Sequence, residues 1–262
     1  MNEVTNLIQV SNLSVKLGNK LILNDLNLNF ATGKITAIIG PNGSGKSTLL
    51  KSLSGLIKPV TGTVRLFGQD ISKIKPAERA QSLAFLMQSH SAPTDLTVFE
   101  LVSFGRHCHY GWRGLGADDK NKIALAIEQV GLTELSQREL GSLSGGQAQR
   151  AWIAMVLAQD TPLILLDEPT TFLDIRHQLE ILTLLRQLNT QFHKTIIVVL
   201  HDIQQSLQFA DNLLILKGGK IIEHRAINEK NDLSIFAQVF GVKVQAYSMR
   251  DQPDVISITS LT

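Results

Sequence analysis

The stretch from Gly40 to Thr48 constrains this chain more than any other. It reads GPNGSGKST, which fits the phosphate-binding pattern G-x-x-x-x-G-K-[ST]. The short β-branched run before it, residues 34–39, predicts a buried parallel strand. Apolar spacing over residues 47–53 predicts a helix directly after it. A strand, a glycine-rich loop and a helix in this order would turn backbone N–H groups toward a polyphosphate.

Within this stretch, two side chains have predicted roles. Lys46 would reach the β- and γ-phosphates, and the hydroxyl of Ser47 would bind Mg²⁺. The glycines let the backbone pass close to the phosphates. The predicted phosphate ligands are Gly40, Pro41, Asn42, Gly43, Ser44, Gly45, Lys46, Ser47 and Thr48.

Composition limits the class of protein. The 262 residues suffice for one large domain or two small ones, and a hydrophobic fraction of 44% suits a soluble core. The longest apolar runs have the length of a strand, whereas a bilayer-spanning helix needs about 20 residues. No secretory signal is evident. The single cysteine, Cys108, excludes an internal disulfide, and a net charge of +2 does not suggest a nucleic-acid partner.

The apolar periodicity predicts an α/β fold with a mostly parallel sheet. Residues 7–30 alternate apolar and polar side chains and predict antiparallel strands. Residues 97–106 and 120–130 have helical spacing and form a predicted helical insertion. Further predicted elements are strands at 63–68, 82–87, 163–168 and 195–200, helices at 145–158 and 175–188, a hairpin at 213–222, and a weakly patterned tail from 226 to 262.

Several polar side chains follow the predicted strands, where parallel sheets bind ligands. Asp167 and Glu168 end one strand; Asp167 would hold Mg²⁺ and Glu168 would orient and deprotonate the attacking water. His201 ends another strand and would donate to a γ-phosphate, although a lone histidine there is also compatible with a structural or solvated role. Gln88 would bind Mg²⁺ and link it to a moving segment.

The run LSGGQ, residues 143–147, makes a family resemblance specific. Together with the phosphate loop, Gln88, Asp167-Glu168 and His201 in this order, it resembles the signature of ATP-binding cassette ATPases. The resemblance implies a RecA-like P-loop NTPase with an antiparallel β subdomain and a helical subdomain. It also implies head-to-tail homodimers that sandwich two ATP molecules with Mg²⁺. The additional nucleotide-binding residues that it implies are Ser144, Gly145, Gly146, Gln147 and Asp174.

The resemblance also implies domain boundaries. Residues 1–92 and 160–225 would form the ATP-binding core with the antiparallel β subdomain. Residues 93–159 would form the helical subdomain that carries the signature, and residues 226–262 a C-terminal tail.

Three longer stretches, residues 95–106, 167–178 and 201–206, are similar to the ATPase subunits of iron-siderophore, haem and cobalamin importers. The similarity implies integral-membrane permease partners, an extracytoplasmic solute-binding protein acting indirectly, and a peripheral place on the cytoplasmic face of the inner membrane. It implies no nucleic-acid partner. The alternatives are an importer of another solute such as a metal ion, a soluble ATPase acting on nucleic acid or ribosomes, and a regulatory module that does not hydrolyse ATP.

Two local features complete the predictions. The family usually stacks an aromatic residue on adenine just before the first glycine turn, where this chain has Leu17. We therefore expect weaker adenine stacking and looser discrimination between ATP and GTP. His107-Cys108-His109 has the residue types of a metal site, but no further ligand is spaced nearby, and we expect a loop of the helical insertion.

Overall fold

The computed structural model divides the chain into two compact units. The first combines Met1–Ser72 with Ile197–Thr262, and the second is Lys73–Ile196. The described residues are 6–89, 91–171, 173–227, 234–247 and 255–261.

The amino-terminal segment of the first unit is rich in strands. Four of them form a sheet in the order β2-β1-β4-β5, with antiparallel pairing throughout. Leu26, Leu28 and Phe30 point into the core, while the residues between them are exposed, which is the period of two expected for a half-buried strand. The elements are β1 (Asn6–Leu17), β2 (Lys20–Ala31), β3 (Ile35–Ile39), α1 (Lys46–Leu53), β4 (Thr61–Leu66) and β5 (Gln69–Asp70).

The second unit is mainly helical. Helices α3, α5 and α6 pack on one another, and β6 and β7 pair in parallel. The elements are α2 (Pro76–Ser82), β6 (Leu83–Leu86), α3 (Val98–Phe104), α4 (His107–Tyr110), α5 (Ala117–Gln129), α6 (Gly145–Ala158), β7 (Leu163–Asp167), α7 (Ile175–Phe192) and β8 (Thr195–Val199), which ends in the first unit.

The carboxyl-terminal segment returns to the first unit. Strand β9 pairs in parallel with β3 and antiparallel with β10. The elements are α8 (Ile203–Phe209), β9 (Asn212–Lys217), β10 (Lys220–Ala226), α9 (Ser234–Phe240), β11 (Val242–Tyr247) and β12 (Val255–Leu261). The predicted fold class, α/β with a parallel-rich sheet and a separate antiparallel sheet, is confirmed.

The sequence pattern of residues 226–262 is weak, and within their described part α9 and the antiparallel pair β11–β12 form; residues 228–233, 248–254 and 262 lie outside the description. One local prediction was wrong. Residues 107–109 form the helix α4 rather than a loop. Two side-chain contacts hold this helix against the rest of the second unit. His109 Nε2 lies 2.8 Å from the carbonyl oxygen of Gln159, and Cys108 Sγ lies 3.5 Å from the carbonyl oxygen of Ala80.

Among the described residues, no three His, Cys, Asp or Glu side chains form a group that could hold a metal ion. Among the helices of these same residues, none is both long and apolar enough to cross a membrane.

A buried arginine joins helices α3, α5 and α6 of the second unit. Arg106, just after α3, donates from Nε to Asp119 Oδ1 of α5 at 3.0 Å and from Nη1 to the carbonyl oxygen of Ala158 at the end of α6 at 2.9 Å. Both side chains of the ion pair are largely buried. Losing one partner of such a pair leaves an uncompensated charge away from water.

We therefore expect Arg106→Ala to lower the free energy of unfolding by about 3 kcal/mol. Urea unfolding of the full chain would measure the change. Arg176→Ala is the matched control, because the Arg176 side chain is 84% exposed and pairs with Glu180 at i,i+4 on the helix surface; we expect it to cost about 0.5 kcal/mol or less. Equal losses in the two variants would contradict the anchoring role of Arg106.

Candidate active site

The phosphate loop connects β3 to α1 in the first unit. Its glycines include two with positive φ at which a side chain would not fit. A Cβ on Gly40 (φ 155°) would lie 2.1 Å from the carbonyl oxygen of Leu216, and one on Gly45 (φ 104°) would lie 2.6 Å from Leu23 Cδ2. The backbone therefore turns where a larger residue would collide, as a loop that wraps a phosphate must.

Polar groups of this loop point inward. Lys46 is buried, and its Nζ donates to the carbonyl oxygens of Gly40 at 2.8 Å and Pro41 at 3.2 Å. The ammonium group therefore lies against the start of the loop, where the predicted phosphate would bind. Ser44 Oγ is also buried, and within the described residues it has no hydrogen-bond partner. This buried hydroxyl in a glycine-rich loop could donate a hydrogen bond to a polyphosphate, and the site therefore fits that ligand.

His201 lies in the same unit and leaves the sheet beside this loop. Leu200 N donates to the carbonyl oxygen of Ile38 at 3.2 Å, so the residue before His201 is a neighbour of the residue two positions before Gly40. Asp202 follows and accepts from Gln205 N at 2.8 Å, which caps α8. Within the first unit, the structure thus brings His201 close to the start of the phosphate loop.

In the second unit, Gln88 and Glu168 meet because of strand register. Leu86 of β6 pairs with Leu166 of β7 in parallel, and each of the two side chains follows two residues later. Gln88 Nε2 donates to Glu168 Oε2 at 2.6 Å. Asp167, the last residue of β7, is buried and directly precedes Glu168 in the sequence. Carboxylate and amide oxygens at strand ends are ligands suited to Mg²⁺.

The backbone at Glu168 is left-handed, with φ of 54°. A non-glycine residue in this region costs about 1 to 2 kcal/mol, so its surroundings must hold it there. Thr171 Oγ1 donates to Glu168 Oε2 at 3.3 Å, and Gln149 Nε2 of α6 donates to the carbonyl oxygen of Pro169 at 2.9 Å. These contacts fix the turn that carries Glu168.

The signature loop, Ser144–Gln147, begins helix α6 with a reciprocal cap. Ser144 Oγ accepts from Gln147 N at 3.3 Å, and Gln147 Oε1 accepts from Ser144 N at 2.9 Å. This capping box satisfies two groups at the helix start. The N–H groups of Gly145 and Gly146 at the same end are suited to bind an anion.

Asp174 begins helix α7 and is the last of the predicted ligands. Its Oδ1 accepts from the backbone N of His177 at 2.9 Å and lies 2.8 Å from His177 Nδ1. The hydrogen bond from the His177 backbone is the main reason why the pKa of Asp174 lies below its usual value. Asp174 is therefore a carboxylate at neutral pH and accepts both bonds.

The predicted site residues thus fall into two groups. The first unit holds the phosphate loop and His201; the second holds Gln88, the signature loop, Asp167, Glu168 and Asp174. Sequence reasoning missed three side chains that support the second group: Gln149, Thr171 and His177. For His177 a signal existed, because it stands three residues after a helix-capping aspartate, and residues at that spacing are neighbours.

Known proteins are similar to this chain over most of its length. The family model described as ABC transporter matches residues 23–171. The petrobactin import ATP-binding protein FpuC of Bacillus anthracis is 43% identical, with 94% of this chain and 91% of that protein covered. The iron(3+)-hydroxamate import ATP-binding protein FhuC of Bacillus subtilis is 43% identical, with 92% and 90% covered. The ferric enterobactin transport ATP-binding protein FepC of Escherichia coli is 40% identical, with 93% and 90% covered.

The solved structures that resemble this chain are also ABC proteins. A chain of an inward-facing ABC transporter, provisionally assigned to the metal-chelate type, superposes with a TM-score of 0.84 at 28% identity, and 98% of both chains is covered. The ATP-binding cassette MJ0796, in a dimer bound to ADP and Pi, superposes with a TM-score of 0.74 at 31% identity, covering 84% of this chain and 99% of that one.

The chain therefore belongs to the ABC transporter family. Its activity is ATP hydrolysis coupled to transport, and within the family it is the ATPase subunit of an importer. The resemblance drawn from the signature loop and the phosphate loop is confirmed.

The geometry of the phosphate loop gives a first test. Gly40→Ala would press a Cβ against backbone, so we expect it to lower the free energy of unfolding by about 3 kcal/mol and to abolish measurable ATP binding. Gly43→Ala is the control, since among the described residues no heavy atom other than those of its chain neighbours lies within 4 Å of its Cβ position and only its positive φ is strained; we expect a loss of about 1 kcal/mol. Thermal unfolding and ATP titration would measure the effects, and equal losses of unfolding free energy in the two variants would contradict the close approach of Leu216.

Proposed function

We propose that this ATPase energises the uptake of an iron chelate such as a siderophore, or of haem or a cobalamin-type substrate, through a partner permease. The supporting observation is the identity of 40 to 43% over nine-tenths of the chain to proteins named for petrobactin import, iron(3+)-hydroxamate import and ferric enterobactin transport. The stretches 95–106, 167–178 and 201–206 give the same indication from sequence.

The proposed partners follow from this role. Two copies of the chain would pair head to tail and lie beneath integral-membrane permease subunits, on the cytoplasmic face of the inner membrane. An extracytoplasmic solute-binding protein would deliver the cargo to the permease. The domain boundaries predicted from sequence, with the helical subdomain at 93–159, belong to this proposal.

In the proposed mechanism, residues 40–48 bind the phosphates of ATP, with Lys46 on the β- and γ-phosphates. Glu168 orients the attacking water and accepts its proton, and His201 donates to the γ-phosphate. Ser47, Gln88 and Asp167 are oxygen donors and would hold Mg²⁺, which neutralises phosphate charge when bound.

The signature loop serves the ATP bound by the other copy. Ser144 would donate from its hydroxyl and Gly145 and Gly146 from their backbone N–H groups, while Gln147 supports Ser144 through the capping box. Asp174 lies at the start of α7, where it would meet the partner copy. A single chain with one phosphate loop and one signature loop therefore needs a second copy to complete a site.

Substitution of the proposed base tests the mechanism. Glu168→Gln keeps an oxygen that can accept from Gln88 but cannot take a proton, so we expect ATP hydrolysis to fall by about 10² to 10⁴ while ATP binding persists. Glu180→Gln removes a carboxylate on α7 that pairs with Arg150 and Arg176, and it should retain activity within about twofold. Phosphate release and nucleotide titration would measure the two effects; full activity in Glu168→Gln would rule out the assigned base.

The same variant tests the partners, because it should hold the ATP-bound dimer together. A tagged Glu168→Gln chain would be expressed in its native membrane and purified with ATP and Mg²⁺. We expect a permease with many membrane spans to copurify. Its associated binding protein can then be screened against ferric siderophores, haem and cobalamin. Recovery of ribosomal or DNA-bound proteins without a permease would contradict the transport proposal and leave the ATPase activity standing.

Leu17 gives a test of nucleotide selectivity. It ends β1 and is 48% exposed, so an aromatic side chain there can reach a ligand without repacking the core. We expect Leu17→Tyr to tighten ATP binding about fivefold or more through adenine stacking and to increase the preference for ATP over GTP. Leu56→Tyr, at another exposed leucine of the first unit, is the control. Unchanged affinities for both nucleotides in Leu17→Tyr would refute this role.

A further inference from the structure

Helix α7 brings a histidine between two parts of the second unit that carry proposed active-site residues. We name the residues 167–174 the acid turn, of which residue 172 lies outside the description. His177 follows the acid turn on the first helical turn of α7, and its side chain is partly buried. It contacts the acid turn on one side and the signature loop on the other.

The contact with the acid turn is a hydrogen bond. His177 Nδ1 lies 2.8 Å from Asp174 Oδ1. Because Asp174 is ionised at neutral pH, it only accepts, so Nδ1 must carry the proton. The same carboxylate oxygen accepts from the His177 backbone. The imidazole orientation is therefore fixed from the acid-turn side.

The contact with the signature loop is steric. A Cβ built on Gly146 would lie 2.9 Å from His177 Cδ2, 3.1 Å from Cγ and 3.3 Å from Nε2. Gly146 is not among the glycines with positive φ, so its backbone conformation does not itself require glycine. The imidazole ring therefore occupies the space that any larger residue at position 146 would need.

A second bridge runs parallel to this one. Gln149, one residue beyond the first turn of α6, donates to the carbonyl oxygen of Pro169 in the acid turn. Gln178, next to His177, donates to the carbonyl oxygen of Leu173 at 2.9 Å. Helix α6, which begins with the signature loop, is therefore connected to the acid turn through Gln149 and through His177. Of these two residues, His177 lies nearer the glycine N–H groups.

From these contacts we infer that His177 is a positioning residue, which sets the place of the signature loop relative to the acid turn through Asp174 and Gly146. The inference rests on the proposed function in one respect, the binding of phosphate by the signature loop. A signature loop that shifts binds the nucleotide less well, while Glu168 keeps its own contacts with Gln88 and Thr171. The effect is therefore expected in KM for ATP rather than in kcat.

Three variants separate the two contacts. His177→Ala removes both, His177→Phe keeps the ring and loses the donor, and His177→Asn keeps a donor at the δ position and loses the ring. We expect KM for ATP to rise about tenfold in His177→Ala, with kcat within about twofold, and to rise less in Phe and Asn. Arg176→Ala, at the neighbouring exposed residue, should leave KM unchanged. Steady-state ATP hydrolysis by the full chain at several protein concentrations would measure these values.

A nucleotide-free measurement tests the steric contact independently. Gly146→Ala should lower Tm by roughly 4 to 8 °C in the wild-type background and by less than half of that in the His177→Ala background, because the ring is no longer there to collide. Equal losses in the two backgrounds would overturn the contact. If the Tm loss caused by Gly146→Ala differs between the two backgrounds but KM for ATP is unchanged in His177→Ala, the contact is confirmed and the positioning role is overturned.

These outcomes are distinct from failure of the proposed function. If the chain transports another solute, both measurements keep their meaning, because neither uses a cargo or a permease. If the wild-type chain failed to hydrolyse ATP, the proposed function would fail and the positioning role would fail with it, while the unfolding experiment would still decide the contact between His177 and Gly146.

Discussion

The parallel pairing of β6 with β7 fixes where Gln88 and Glu168 leave the sheet. Parallel strands end at the same edge of a sheet, and because Leu86 pairs with Leu166, Gln88 and Glu168 lie at the same level along the strand direction. A shift of one residue would turn either side chain to the opposite face. The 2.6 Å contact between Gln88 and Glu168 therefore depends on the buried leucines that hold this register. The first unit uses the same constraint where Leu200 meets Ile38.

Around this edge, the second unit stabilises a backbone that is unfavourable by itself. Glu168 has a left-handed conformation, and hydrogen bonds from Gln149, Thr171 and Gln178 surround the turn that follows it. Gln149 belongs to α6 and Gln178 to α7, whereas Thr171 belongs to the turn itself. A base held in a strained but fixed conformation keeps its orientation toward a substrate, and strain of this kind is common at functional sites.

Much of this arrangement could be predicted from sequence, and the reasons differ between residues. The phosphate loop was predictable because glycine, lysine and serine stand at a spacing that follows from local geometry. The strands β3 and β8 were predictable because their residues are all apolar or β-branched, and β7 because a run of leucine and isoleucine precedes Asp167. In contrast, the bond from Gln149 to Pro169 depends on how a helix lies against a turn 20 residues away, and local periodicity does not contain that information. The helix α4 was missed for a similar reason, since its contacts come from Ala80 and Gln159. The contact of His177 with Asp174 is local and could have been found, whereas its contact with Gly146 could not.

The hydrogen bonds of Lys46 also affect how the protein would exchange its nucleotide. Its ammonium group already binds two carbonyl oxygens of the loop, so a phosphate would compete with these partners rather than meet an unsatisfied charge. The net gain from this lysine is therefore smaller than that of an isolated ammonium–phosphate pair, because the bonds to Gly40 and Pro41 are weakened as the new one forms. The loop also has little ordering entropy left to lose on binding. A preorganised loop with a partly satisfied lysine favours rapid and reversible exchange, which an enzyme that must release ADP in every cycle requires.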